Sequence, residues 1–339
     1  MKMIKKVAKI LFSGVIAFFI LCAFFYFYYR VPVHKTSELK NTDYVWPANS
    51  SWIKFTEGIS WGTFDEQGFN NKVVIKNPNI LVLGSSHTEA TNVNQNENFS
   101  YILQKNLGDM KSVYNMGISG HAFAKVLQYL PQSISLYPTG LEYIVIETSD
   151  IDLSENQIEK ILNKSIEFTP SYDKGIISLL QKLPFLRVLY FQWEQGLKDL
   201  ILPSHINIKD TKETLEKKQN DSSFYSKDYY NELFDYLQNL TKEKNIHIII
   251  MYHPSENLGV DGTITYKVSK DLTIFKNKCK DYGIIFCDMT EDFYELFEVE
   301  RKLPHGFITG RIGEGHLNKD GHRVIAKKLY KIIKTKEGE

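Results

Sequence analysis

Five short runs of strand-forming residues, parted by segments of helical character, constrain this chain more than any other feature. They lie at 79–83 (NILVL), 112–116 (SVYNM), 142–148 (EYIVIET), 246–252 (IHIIIMY) and 284–288 (IIFCD). Helices are predicted between and after them, at 95–107, 121–136, 225–243, 264–282 and 319–335. Strands that are apolar throughout are buried on both faces, which is the pattern of a parallel sheet covered by helices on either side. The expected class is therefore α/β, a flavodoxin-like three-layer α/β/α sandwich around a mainly parallel five-stranded sheet. Such sheets bind ligands in the loops beyond the carboxyl ends of their strands.

A second feature sets where that domain works. Residues 10–29 (ILFSGVIAFFILCAFFYFYY) are almost wholly apolar, long enough as a helix to cross a hydrocarbon core of about 30 Å. Lys2, Lys5, Lys6 and Lys9 precede the run and Tyr26, Tyr28 and Tyr29 close it. That asymmetry predicts one transmembrane helix with a cytoplasmic N-terminus and an extracytoplasmic domain, as in a bacterial cell envelope. The run is too long for a signal-peptide core and ends without a small-residue cleavage site. Leu21 before Cys22 is too large for a lipoprotein signal. The expected organisation is a cytoplasmic tip and anchor at 1–30, a linker and small extended flap at 31–75 containing Trp46, Trp52 and Trp61, and the α/β domain at 76–335. A helical insertion is expected at about 153–224. With 41 basic and 40 acidic side chains the chain has no electrostatic footprint for nucleic acid. Beyond Cys22 only Cys279 and Cys287 remain, which indicates no disulfide framework.

Chemistry is then sought in the strand-end loops. The first is Gly84-Ser85-Ser86-His87-Thr88-Glu89, the second Gly117-Ile118-Ser119-Gly120, the third Thr148-Ser149-Asp150-Ile151-Asp152, and the fourth opens with His253. A serine at a strand-to-helix turn is a candidate nucleophile, although the same residue type also caps helices. Glycines after the second strand let a backbone N–H approach an oxyanion, or simply end the strand. His316, His322 and His253 compete as base, with His322 the better candidate for packing the final helix. His87 is expected on the surface of the first helix, and Asp288 as a structural acceptor.

ILVLGSSHTEA, YNMGISGHAF and GHLNKDGHRVIAKKL together, in this order, resemble the blocks of the SGNH (GDSL-like) serine hydrolases and acyltransferases over about residues 60–335. TFDEQGFNN resembles the extended piece that leads into that family's nucleophile strand. The resemblance implies Ser86 as nucleophile, with Ser85 where an aspartate usually stands, His316 as base, and an oxyanion hole from the N–H groups of Ser86 and Gly120. The sequence departs from the family twice. The third block reads SDID, with Asp150 or Ile151 where an asparagine would complete the oxyanion hole. Gly313 occupies the usual position of the triad aspartate, so the nearest carboxylate, Glu314, is expected to orient His316, with a Ser-His dyad or a lost activity as the alternatives. Ser85, Asp150, Asp152 and His253 are candidate lining residues.

Two functions follow from the resemblance. One is a membrane-anchored esterase or O-acyltransferase acting on acyl esters, acetyl above all, of an envelope polysaccharide or glycan. The other is a catalytically inactive binding or assembly component of an envelope acylation system. The expected partners are the membrane, an acylated carbohydrate and, as a candidate, a membrane acyltransferase. No metal or organic cofactor is implied.

Overall fold

The computed structural model describes residues 2–28, 45–54, 57–163, 183–186, 189, 227–259 and 261–338. Helix α1 (Lys2–Tyr28) comes first. Its span Met3–Phe25 is 23 residues at a mean hydropathy of 2.4, long and apolar enough to cross a membrane. A short hairpin of β1 (Ser51–Lys54) and β2 (Ser60–Thr63) follows.

The central sheet is built by β3 (Ile80–Gly84), β4 (Val113–Gly117), β5 (Tyr143–Thr148), β6 (His247–Tyr252) and, after the β7/β8 hairpin of Ser255–Leu258 and Ile264–Lys267, β9 (Ile285–Asp288). The order is β4-β3-β5-β6-β9, all parallel. Counted along the sheet's own strands this is 2-1-3-4-5, the flavodoxin-like order, whose switch point lies at the carboxyl ends of its first and third strands. Here those strands are β3 and β5.

Period-two alternation divides the sheet's side chains between two cores. Leu81, Leu83, Tyr114, Ile144, Ile146, Ile248 and Ile250 face α4 (Phe123–Leu136), α5 (Glu155–Leu162), α6 (Lys227–Lys242) and α7 (Leu272–Asp281). Ile80, Val82, Val113, Val145, Ile249 and Met251 face α3 (Phe99–Leu107), α8 (Thr290–Glu300) and α9 (Lys319–Gly338). Both faces being covered is why these strands carry no polar alternation.

The five sheet strands fall within a residue or two of the apolar runs. The segment 264–282 differs from expectation, because only Leu272–Asp281 is helical and ITYK forms β8 against β7. Its alternating exposure and the turn at Gly262, with φ +81°, suit a hairpin instead. The C-terminal block also adds a strand pair, β10 (His305–Gly306) with β11 (Ile312–Leu317). Within the expected insertion at 153–224, α5 is described, and most of the remainder lies outside the described residues, as do 29–44. All three cysteines are free thiols.

Candidate active site

Strand β3 ends at Gly84 because no larger residue fits. A Cβ there would sit 2.2 Å from Thr88 Oγ1 and 2.5 Å from Glu147 Oε2. Ser85 then caps the four-residue helix α2 (Ser86–Glu89), its Oγ accepting from His87 N at 3.2 Å while donating to Glu147 Oε2 at 2.9 Å. With Ser85 committed to the cap, Ser86 at the first helical position turns its hydroxyl toward the C-terminal hairpin.

There Ser86 Oγ lies 2.9 Å from His316 Nε2, and His316 Nδ1 lies 2.7 Å from Glu57 Oε2. The backbone N–H of His316 donates to the other oxygen of the same carboxylate, Glu57 Oε1, at 2.9 Å. Burial pushes the Glu57 carboxyl up, but the hydrogen bonds and charge of His316, helped by Lys54, outweigh it and hold it at about 2. An ionised carboxylate accepts only, so Nδ1 carries the imidazole proton and Nε2 presents its lone pair to the serine hydroxyl. This is the tautomer in which a histidine can take a serine proton. Gly315, with φ +87°, makes room for the carboxylate, since a Cβ would stand 2.2 Å from Glu57 Oε1.

The expected acid, Glu314, is not at the imidazole. It pairs with Arg311 at 3.0 Å on the surface, its side chain 55% exposed. Glu314 stands two places before His316, a spacing that regular alternation would put on the same face, but Gly313 at φ +79° and Gly315 at φ +87° on either side of it break the extended pattern. The carboxylate arrives from the flap, 259 residues away in sequence. Glu57 follows β1, and the flap docks on the nucleophile turn. Trp46 Nε1 donates to Glu89 Oε1 at 2.9 Å, Asn70 Nδ2 to Glu89 O at 2.7 Å and Ser60 Oγ to Thr91 O at 2.6 Å. The loop TFDEQGFNN is organised by Asp65, which accepts from Gln67 N, Phe69 N, Asn71 Nδ2 and Tyr114 Oη. Lys54 is buried beside Glu57 and Glu89; burial draws its ammonium down to about 8 against the pull of both carboxylates.

Gly120 adopts φ +89° with open space where a side chain would be. Among the described residues neither its N–H nor that of Ser86 has a hydrogen-bond acceptor. Asp150 and Asp152 line a cleft of about 160 Å³ with Ser85, His121, Glu147 and Gln157. Their carboxylates are turned to the loop before α7: Asp150 Oδ1 accepts from Ser269 Oγ at 3.1 Å, and Asp152 from Lys270 N and Asp271 N, both at 3.1 Å. Asp288 Oδ1 accepts from Thr290 N and Thr290 Oγ1 at the start of α8. His322 packs inside, stacked on Phe99 and accepting from Phe99 N at 3.3 Å.

His253 is fully buried, its Nε2 at 2.8 Å from Glu147 Oε1. His87 is not a surface residue of α2. Its ring is half-buried, 4.7 Å from that of His253, 5.7 Å from His305 and 5.2 Å from His316. Desolvation and then these neighbours keep it from taking a proton near neutrality. Glu57, Glu147, Glu256 and His305 are members of this region that motif spacing does not mark. Only Glu147 leaves a trace in the sequence, a carboxylate inside the apolar run EYIVIET.

No family model and no curated protein sequence matches the chain. Solved structures similar to it include the acetyl xylan esterase AlAXEase, at 14% identity and TM-score 0.39, over 75% of this chain and 99% of that one. A metagenomic α/β hydrolase from Lake Arreo is 12% identical, with TM-score 0.37 over 76% and 94% of the two chains. A catalytic mutant of Axe2, an acetylxylan esterase of Geobacillus stearothermophilus, is 13% identical, with TM-score 0.36 over 76% and 94%. Likeness at this level assigns neither substrate nor activity.

Proposed function

We propose that the chain is a serine esterase or O-acyltransferase of the SGNH kind, with Ser86 as nucleophile, His316 as general base and acid, and Glu57 as the orienting carboxylate. The observation that carries this is the continuous chain Ser86 Oγ, His316 Nε2, His316 Nδ1, Glu57 Oε2 at 2.9 and 2.7 Å. In this reading Ser86 Oγ attacks an ester carbonyl while His316 takes its proton, and Glu57 stabilises the imidazolium. The uncommitted N–H groups of Ser86 and Gly120 receive the developing oxyanion. His316 returns the proton to the departing alcohol, and water or a second hydroxyl then takes the acyl group from the serine.

A carbohydrate ester is the favoured substrate class. Beside the flap, Trp61, 59% exposed, lines an open hollow of about 850 Å³ with Asn94, Gln95, Asn96 and Thr63. An aromatic face next to side-chain amides suits the apolar face and hydroxyl edge of a sugar ring. The span Met3–Phe25, with Lys2, Lys5, Lys6 and Lys9 gathered at its N-terminal end, supports an anchored domain on the extracytoplasmic side, within reach of envelope glycans and of a membrane acyltransferase. The reading of an inactive relative draws on the missing third-block asparagine and on the shifted acid, and Glu57 answers the second by supplying a carboxylate to His316.

A fluorophosphonate probe applied to the detergent-solubilised full chain tests this. Labelling of the wild type at Ser86, with none in Ser86→Ala or His316→Ala, is the expected result. An unlabelled wild type that still binds acylated glycan would establish the non-catalytic alternative.

A further inference from the structure

Behind the Ser86–His316 pair lies a second set of imidazoles whose protons do not match their contacts. Glu147 is sealed from solvent and accepts four bonds: from Ser85 N at 2.8 Å, Ser85 Oγ at 2.9 Å, Thr88 Oγ1 at 2.9 Å and His253 Nε2 at 2.8 Å. A carboxylate so used is ionised, so His253 Nε2 is the donor and His253 Nδ1 carries a lone pair. Glu256, equally sealed, accepts from His305 N at 3.0 Å and meets His305 Nδ1 with its other oxygen. By the same reasoning His305 Nε2 carries a lone pair. These two lone-pair nitrogens face each other at 3.4 Å.

Two acceptors do not converge in a dry interior unless something positive lies between them. A proton is one candidate, but 3.4 Å is long for a hydrogen bond donated by nitrogen, which to an oxygen acceptor prefers about 2.7–3.2 Å. Two imidazole nitrogens each about 2.0–2.1 Å from a tetrahedral zinc ion stand about 3.3–3.4 Å apart. Charge favours the metal too, because the described residues give neither Glu147 nor Glu256 a lysine or arginine partner. Each imidazole also donates its other N–H to a carboxylate, the outer-shell arrangement that fixes zinc-binding histidines. A third ring converges on the pair, since one nitrogen each from His87, His253 and His305 lies within 4.8 Å of the others.

We propose that His253 Nδ1, His305 Nε2 and a ring nitrogen of His87 bind one divalent metal ion of the zinc class, clamping the hairpin that carries His316 to the turn that carries Ser86. His87 gives up the 3.2 Å contact between its Nδ1 and Leu317 N to reach the ion. The three ligands come from α2, the end of β6 and β10, and β10 pairs with β11, the strand of His316. The ion acts on the hydrolytic residues by holding these segments in register. The site does not depend on the esterase reading, because none of its ligands is Ser86, His316 or Glu57.

The test uses the full chain in detergent, purified without chelator, with metal measured by elemental mass spectrometry. The stripped protein is then titrated with zinc, and separately with cobalt while visible absorption is recorded. A single equivalent of bound metal, a tetrahedral cobalt spectrum and a higher Tm on adding zinc are expected in both wild type and Ser86→Ala. His305→Ala should lose all three responses, and Glu256→Gln should weaken zinc affinity about 10–100-fold. A wild type that copurifies with no metal, gives no tetrahedral cobalt spectrum and keeps its Tm when zinc is added would overturn the proposal and leave a proton shared by His253 and His305. Loss of labelling at Ser86 with metal binding intact would count against the esterase reading alone.

Discussion

The molecule places imidazole against glutamate in two settings, and the contrast shows what selects a base. The His316–Glu57 pair keeps 29% and 24% of its side-chain surface exposed and touches a serine hydroxyl. The His253–Glu147 pair is sealed at 0% and 0%, and His305–Glu256 at 3% and 0%. The chemical partners are the same and the distances similar. Changing the charge of a sealed pair costs several kcal/mol in lost solvation, so its protons stay where folding put them. In the esterase reading, solvation more than residue type separates the imidazole that shuttles a proton from those that hold structure.

The largest expected effect breaks the two settings apart. Ser86→Ala and His316→Ala should each lower kcat on an activated acetyl ester about 10⁵–10⁶-fold, and the double variant little further, because the two act as a unit. Their Tm should barely move. Glu147→Gln should do the reverse first, lowering stability by about 3–5 kcal/mol, as loss of one partner from a buried pair does. Thermal scans beside the ester assay decide the matter; an equal kcat loss in a fully stable Glu147→Gln would dissolve the distinction.

Next comes the acid. Glu57→Gln should reduce kcat about 10⁴-fold by spoiling the tautomer of His316, while Glu314→Gln on the exposed side of β11 stays within about twofold, since surface substitutions rarely propagate. Burst kinetics of the acyl-enzyme separate this from slower deacylation. A reversed ranking would restore the motif-based assignment. Gly315→Ala sharpens the same point from the other side. Its Cβ would stand 2.2 Å from Glu57 Oε1 on a backbone at φ +87°, and a displaced carboxylate should cost about 10²-fold in kcat.

The smallest effect concerns a buried imidazole away from the serine. Burial, with nearby imidazoles, holds His322 at about 3, against 6.5 for an ordinary histidine. The unfolded chain takes up this proton near pH 6.5 and the folded chain only near pH 3, so stability falls as pH drops through that window. The loss should reach about 2–3 kcal/mol between pH 6.5 and about 4.5. His322→Gln, neutral throughout, should be about 1 kcal/mol less stable at pH 7 for its weaker contact with Phe99 N, yet should lose stability less steeply in acid. Urea midpoints at both pH values report the difference in slope.

What the sequence discloses here tracks how local the determining interactions are. The sheet was legible because strands buried on both faces carry their signal in a few consecutive residues, as Ile80–Leu83 and Tyr143–Ile146 do. Ser86 and His316 are marked by short motifs around glycine turns. Glu57 has no such mark, because what places it is the docking of Trp46, Ser60 and Asn70 on the turn at 89–91, contacts between segments that no spacing rule joins. Glu314 satisfied proximity in sequence, but the left-handed glycines on either side of it, Gly313 and Gly315, break the alternation of β11, and its carboxylate pairs with Arg311. The segment 264–282 read as one helix because its apolar residues fit both periods until Gly262 makes the hairpin turn.

One further consequence comes from the order of the reacting groups along the chain. In the proposed reading the acid at 57, the serine at 86 and the base at 316 are held together by a bond spanning 259 residues, so no portion of the polypeptide that ends before residue 316 contains the full set. During synthesis the serine emerges early and waits, chemically dormant, until the hairpin that carries His316 has left the ribosome. Latency of this kind needs no propeptide or inhibitor. Stalled chains ending before residue 305 should therefore ignore a fluorophosphonate probe that labels released full-length protein, and a labelled stalled chain would show that the nucleophile is activated by something nearer to it.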